Sequence, residues 1–217
     1  CIRDSCMSAA KISVAKKAIN HIKNKISKKT VLGIGTGSTV NFFINELAKS
    51  NSQFYGAVSS SNASSELLRK INVDVLSLND VDEIDFYIDG ADEVSASGHL
   101  LKGGGGAHTR EKIVAEASNT FICIIDKTKE VGVLGKFPLP IEVIPESRSM
   151  VSRRMVAMGG KPVYRSGFVT DQGNQIIDVH GLIIKDPVKL ECSINNIPGV
   201  VENGIFGNNK PDLVIVG

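Results

Sequence analysis

Apolar residues recur at three- and four-residue steps early in the chain: Ala9, Ile12, Ala15, Ile19, Ile22 and Ile26, with lysines between them. The spacing predicts an amphipathic helix whose lysines face water. Short apolar runs of strand length follow at residues 30–34, 54–58, 73–76, 85–88 and 121–125. Helical patterns occupy residues 39–49 and 107–117. Ser59, Ser60, Ser61 and Asn62 precede a further helical run through Leu67 and Leu68, and their side chains suit an N-cap. Strands alternating with helices imply a three-layer, mostly parallel, Rossmann-like α/β sheet. Ligands in such sheets gather beyond the carboxyl ends of the strands, so the loops that follow strands are expected to converge there.

The pattern changes after Gly135. Residues 137–140, Phe-Pro-Leu-Pro, read as a linker, and residues 141–144 as a strand. A helix is expected over 150–158, then two strands at 162–164 and 175–179 around the turn Asp171-Gln172-Gly173-Asn174. Asp186-Pro187 has the cap-then-proline chemistry of a helix start, and residues 200–202 form another strand. The order β-α-β-β-α-β predicts a small α+β, ferredoxin-like second domain. Residues 212–216 are expected to return to the main sheet. The predicted division is a main α/β domain over 7–135 and 207–217 and a small domain over 136–206. The chain has no internal repeat and no low-complexity tract.

Composition narrows the function classes. The 217 residues include 5% aromatics and no Trp, which argues against platforms for stacking bases. A net charge of +2 is too small for the electrostatic footprint of a nucleic-acid binder. No apolar run approaches the ~18 residues of a membrane span. Cys1, Cys6, Cys123 and Cys192 form no C-x-x-C pair, and the lack of a disulfide framework fits a cytoplasmic location. Cys123, in an apolar run, is expected to be a buried, inert thiol. The first residues carry no signal-peptide pattern, and Met7 is a candidate native start.

Three loops carry candidate chemistry. The first is Gly35-Thr36-Gly37-Ser38-Thr39 at a strand-to-helix junction. With Gly33 before it, Gly33 and Gly35 fit the start of a dinucleotide fingerprint, but the third glycine should stand at position 38, which is Ser38, and the loop lacks the G-K-[ST] of a phosphate-binding P-loop. Its hydroxyls and free N–H groups would suit a phosphate or sugar oxygens, against the plainer reading of a tight turn. The second is Asp89-Gly90-Ala91-Asp92-Glu93. A solvated acidic turn is the plainer reading; magnesium ligation is the lesser alternative, since only Glu93 offers a third carboxylate at metal spacing. The third is Lys102 followed by Gly103, Gly104, Gly105 and Gly106. Four consecutive glycines are costly to order, and close backbone approach to a ligand explains them best. Glu111 follows in the first turns of the next helix, where an ordinary surface glutamate is the bland alternative. His21, His99, His108 and His180 make no metal spacing, so no metal site is expected. Carboxylates near a lysine are the equipment of proton transfer, and the set suggests a small phosphorylated carbonyl compound as substrate.

Taken together, these loops resemble the ribose-5-phosphate isomerase A family. The likeness extends through Thr109-Arg110-Glu111-Lys112, residues 134–140, Glu142-Val143-Ile144-Pro145 and Ile197-Pro198-Gly199-Val200, and covers nearly the whole chain. It implies interconversion of D-ribose 5-phosphate and D-ribulose 5-phosphate, without metal or organic cofactor, in the non-oxidative branch of the pentose phosphate pathway. It implies Glu111 as the proton-transfer base, with Asp89, Asp92 and Lys102 as further catalytic groups. Substrate contacts are implied at Thr36, Gly37, Ser38, Thr39, Asp89, Gly90, Ala91, Asp92, Lys102, Gly103, Gly104, Gly105 and Lys129. A family lysine near phosphate, early in the first helix, falls closest to Lys16. His108 stands where many relatives have an apolar residue. A homodimer or homotetramer is expected, with no nucleic-acid or membrane partner. Gly217 lies slightly short of the usual family end, so a truncated last segment is expected.

The chemistry is coherent from below. Moving a proton between C1 and C2 of an open-chain sugar passes through an enediolate, so negative charge develops on oxygen. One carboxylate can take and return the proton, while Lys102 and glycine N–H groups stabilise the oxyanion and an aspartate assists ring opening. Two other classes remain open. Acyl or CoA transfer with a glutamate nucleophile would show a covalent thioester. A sugar-phosphate sensor would bind without turnover.

Overall fold

The computed structural model describes the backbone from Ile2 to Gly217 and side chains from Ser8 onward. Expectations for Cys1, Cys6 and Met7 fall outside the described side chains. In chain order the elements are α1 (Ile2–Ile22), β1 (Val31–Ile34), α2 (Ser38–Lys49), β2 (Gly56–Ser59), α3 (Asn62–Lys70), β3 (Val75–Leu76), β4 (Phe86–Asp89), β5 (Glu93–Ser95) and β6 (Leu100–Leu101). Then come α4 (His108–Glu116), β7 (Phe121–Ile125), β8 (Glu130–Val131), β9 (Leu139–Val143), α5 (Arg148–Ala157) and β10 (Lys161–Tyr164). The chain closes with β11 (Gln175–His180), α6 (Pro187–Asn195), β12 (Val200–Asn203), β13 (Ile205–Phe206) and β14 (Leu213–Val216). It divides into two compact units: residues 1–90, 113–129 and 211–217, and residues 91–112 and 130–210.

The first unit is built on a six-stranded sheet in the order β14-β7-β4-β1-β2-β3, parallel throughout. β1, β2 and β7 are buried along their whole length, which is why they read as unbroken apolar runs rather than alternating ones. α1 lays Val14, Ala15, Ala18, Ile19 and Ile22 into a core with Phe43 and Ile44 of α2 and Leu32, Ile88 and Ile122 of the sheet. α1 stops at Ile22, a turn short of the expectation, although Ile26 still packs partly on this core. α3 starts where Ser61 accepts a bond from Ser64 N at 3.1 Å, as the serine run predicts. β14 does return to the main sheet, beside β7.

The second unit holds an antiparallel sheet in the order β10-β11-β9-β12. With α5 and α6 this is the β-α-β-β-α-β arrangement, and its core includes Ile141, Val143, Val151, Met155, Ile177, Val179 and Ile194. Asp186 caps α6 through Lys189 N at 3.1 Å. Leu139 and Pro140 belong to β9 and are not a linker. Leu139 is fully buried, and Pro140, which cannot donate, still accepts from Gly204 N at 2.9 Å. A third sheet, β13-β6-β5-β8, draws residues 91–112 into this unit, whereas the sequence pattern groups them with the main sheet. Its strands are two or three residues long, too short for any periodicity to register.

Candidate active site

In the first unit the strand order reverses direction between β1 and β4, the switch point at which open parallel sheets bind ligands. The loops leaving these two strands meet there. Thr36 N donates to Asp89 Oδ1 at 3.1 Å, Gly90 N donates to the same oxygen at 2.7 Å, and the Tyr87 hydroxyl donates to Asp89 Oδ2. Asp89 is therefore fully buried and saturated with donors, not a solvated acidic turn. Gly35 is required beside it, because a Cβ there would sit 2.0 Å from the Asp89 carboxyl carbon. A Cβ on Gly90 would lie 3.7 Å from Ile124 O and 4.0 Å from Thr39 Cβ, so the loop after β4 runs between the start of α2 and the end of β7.

Gly37 is the N-cap of α2, with φ 115°, and brings no side chain to bond the first amides of the helix. Those N–H groups and the helix dipole face outward at Ser38 and Thr39, the makings of an anion site. Thr36 Oγ1 pairs with Ser60 Oγ at 2.8 Å, and Lys11 Nζ donates to Ser38 Oγ at 2.8 Å. Lys11, not Lys16, is thus the α1 lysine at this loop; Lys16 is exposed. A lysine-rich helix offers several candidates, and the sequence alone does not single out Lys11. Lys129 sits on the turn after β7, where Lys129 N bonds Asp126 O at 3.1 Å and Asp126 Oδ1 accepts from Thr128 N at 3.0 Å.

The second unit gathers the remaining candidates. Lys102 and Glu111 are 2% and 4% exposed, and Lys102 Nζ lies 3.1 Å from Glu111 Oε2. An ammonium this deeply buried demands a charged partner, so Glu111 is not a surface helix residue. Lys102 also lies over the Phe206 ring, 5.4 Å from its centroid. Its backbone is pinned by Lys102 N to Gly204 O at 2.9 Å, and a Cβ on Gly204 would come within 2.2 Å of Lys102 O. Asp92 Oδ2 accepts from Gly104 N at 2.8 Å, while Gly106 N bonds Gly103 O at 2.9 Å. Two amides of the glycine loop are therefore committed. Gly103 and Gly105 have no acceptor among the described residues.

Glu93 contributes to the frame rather than to a metal. Its buried carboxylate accepts from Gly135 N at 2.7 Å and Phe137 N at 2.6 Å. Among the described residues no three His, Cys, Asp or Glu side chains gather as a metal group. His108 is fully buried, with Nε2 3.3 Å from Glu202 O and no partner for Nδ1 among the described residues. Burial, then Lys112, with smaller contributions from Arg165 and Lys102 against the opposing Glu202 bond, lowers its pKa from 6.5 to about 3. It is neutral at working pH.

Sequence reasoning missed the polar frame that holds α4. Lys112 Nζ reaches Glu191 Oε1 at 2.7 Å, Glu202 Oε1 at 2.8 Å and the carbonyls of Asn203 and Ile205 at 3.0 and 2.7 Å. Glu142, fully buried, accepts from the Thr109 hydroxyl, from Thr170 Oγ1 at 2.8 Å and from Asn174 Nδ2 at 2.8 Å. These residues flank Glu111 along the helix and fix its first turn. Cys123 is buried as expected, and Cys192 is exposed; neither is in a disulfide. No helix among the described residues is long and apolar enough to cross a membrane.

Residues 56–217 match the family model for ribose 5-phosphate isomerase A (phosphoriboisomerase A). Ribose 5-phosphate isomerase A from Neisseria gonorrhoeae is 50% identical, with a TM-score of 0.90 over 95% of this chain and 91% of that one. The enzyme from Methanocaldococcus jannaschii is 42% identical, with a TM-score of 0.87 over 95% and 93%. That from Plasmodium falciparum is 29% identical, with a TM-score of 0.89 over 97% and 94%.

Proposed function

The chain belongs to the ribose 5-phosphate isomerase A family and interconverts D-ribose 5-phosphate and D-ribulose 5-phosphate, and from this starting point we propose how its residues divide the work. The observation that carries the assignment is the buried Lys102–Glu111 pair at 3.1 Å. Glu111 removes the C2 proton of the open-chain aldose and returns it to C1. Lys102 neutralises the enediolate oxygen as charge develops, helped by uncommitted amides of the glycine loop. One carboxylate suffices, because the two carbons are adjacent in the same bound sugar.

Ring opening requires proton exchange with oxygen and water. Asp92 is partly exposed and has one oxygen committed to Gly104, whereas Asp89 is sealed among three donors. This favours Asp92 for ring opening and leaves Asp89 to fix the loop at Thr36 and Gly90. The uncapped start of α2, with Thr36, Gly37, Ser38, Thr39, Lys11 and Lys129, takes the phosphate. Holding that group restricts how the bound sugar can turn. A role in the non-oxidative pentose phosphate branch, a cytoplasmic location and assembly as a homodimer or homotetramer are part of the same proposal.

Glu111→Gln tests the assignment. It preserves size and removes basicity, so kcat should fall by at least about 100-fold, with sugar-phosphate binding and folding retained. Exchange of the substrate C2 proton with solvent deuterium should vanish with it. Isomerisation at a near wild-type rate would make Glu111 structural and return the base to Asp89 or Asp92.

A further inference from the structure

A run of four glycines has no side chains with which to hold its own shape, yet its peptide groups must point in fixed directions to be useful. Besides the Gly106 N–H on Gly103 O and Asp92 on Gly104 N, the restraint comes from Arg165, just past β10. Its Nη1 donates to Gly104 O at 3.2 Å and to Gly103 O at 3.4 Å, and its Nη2 donates to Gly103 O at 3.4 Å. Nε and Nη2 grip the Asp178 carboxylate at 2.8 and 2.5 Å. All five guanidinium N–H groups are thereby used. The guanidinium also lies over the Phe168 ring, 5.3 Å from its centroid. That ring leaves no room at Gly106, where a Cβ would come within 2.3 Å of it.

We propose that Arg165, anchored by Asp178, is a positioning residue for the isomerisation: by holding the Gly103 and Gly104 carbonyls it aims the amides of Gly104 and Gly105. The link is the planarity of the peptide. The oxygen of Gly103 and the N–H of Gly104 lie in one rigid trans unit, as do the oxygen of Gly104 and the N–H of Gly105. Fixing the first oxygen directs the Gly104 N–H, which meets Asp92 Oδ2 at 2.8 Å. Fixing the second directs the Gly105 N–H, which is left for the substrate oxygen. A planar fork is needed to span two carbonyls and a carboxylate at once, and an ammonium cannot do this. The inference rests on reading Lys102 to Gly105 as the loop that meets the carbonyl end of the sugar.

Arg165→Lys keeps the charge and loses the fork. It should lower kcat by about 10- to 100-fold while KM and the inhibition constant of inorganic phosphate stay within about threefold. In Arg165→Ala, millimolar guanidinium should restore part of kcat and ammonium should not, a response that a purely structural arginine would not give. Circular dichroism establishes that each variant is folded; if Arg165→Lys is not, Asp178→Asn is read by the same kcat and KM criteria. A wild-type kcat in folded Arg165→Lys, or a rise in KM with kcat unchanged, overturns the proposal. Glu111→Gln measured alongside separates the two levels. If it is inactive while Arg165→Lys is normal, only the positioning role fails; if it is active, the reading of the loop fails too.

Discussion

His108 makes a sharp prediction about acid stability. In the unfolded chain its imidazole titrates at the ordinary value of 6.5, but in the folded protein it resists protonation until about pH 3. Between these values the unfolded state binds a proton that the folded state refuses, so unfolding is favoured as pH falls. The stabilisation is fully present above pH 6.5 and is lost progressively below it. Each pH unit is worth about 1.4 kcal/mol, so roughly 2 kcal/mol should disappear between pH 7 and about pH 5 from this residue alone. Nothing nearby offers relief: Lys112, Arg165 and Lys102 all oppose the proton, and only the Glu202 carbonyl favours it. His108→Leu fills the same buried place without a titrating group. Urea denaturation of both proteins at about pH 7 and pH 5 should show the pH-dependent loss smaller in the leucine variant by about 2 kcal/mol. Equal losses in the two proteins would refute the reasoning and mean that His108 Nδ1 finds a partner for its proton.

Three further outcomes are expected. Gly35→Ala forces a Cβ to within 2.0 Å of the buried Asp89 carboxyl carbon and should destabilise the fold by about 1–3 kcal/mol; an unchanged denaturation midpoint would show that the loop yields freely. Free ribose should be a poor substrate, because the anion site at the start of α2 goes unfilled; a kcat/KM comparable with that for ribose 5-phosphate would contradict the phosphate assignment. Activity should survive chelation, since the Asp89 and Glu93 carboxylates are spent on Tyr87, Thr36, Gly90, Gly135 and Phe137; loss with EDTA and recovery with magnesium would reinstate the metal reading.

The main sheet is legible in the sequence because a strand buried on both faces writes an unbroken apolar run, as in Phe121 to Ile125. The glycine loops are legible because only close approach or unusual φ requires such residues, as at Gly35 and Gly37. Other features depend on partners distant in sequence. Glu142 looks like one polar position in an apolar strand, and nothing local announces Thr109, Thr170 and Asn174 around it. Arg165 likewise follows an ordinary edge strand, and its role depends on Asp178 and on a loop some sixty residues earlier. Pro140 misleads by rule: proline argues against an inner strand, yet here it lies near the strand's start and only its carbonyl is used.

The place of β14 beside β7 bears on how the protein is made. All of residues 130–210 separate these two parallel neighbours in the sequence. During synthesis β7 therefore emerges long before the strand that will cover its outer edge. Phe121-Ile122-Cys123-Ile124-Ile125 is wholly apolar and, until then, an open template for pairing with another nascent chain. The hazard ends only when Leu213 to Val216 leave the ribosome, so the interval in which this chain needs protection is set by the length of its second unit.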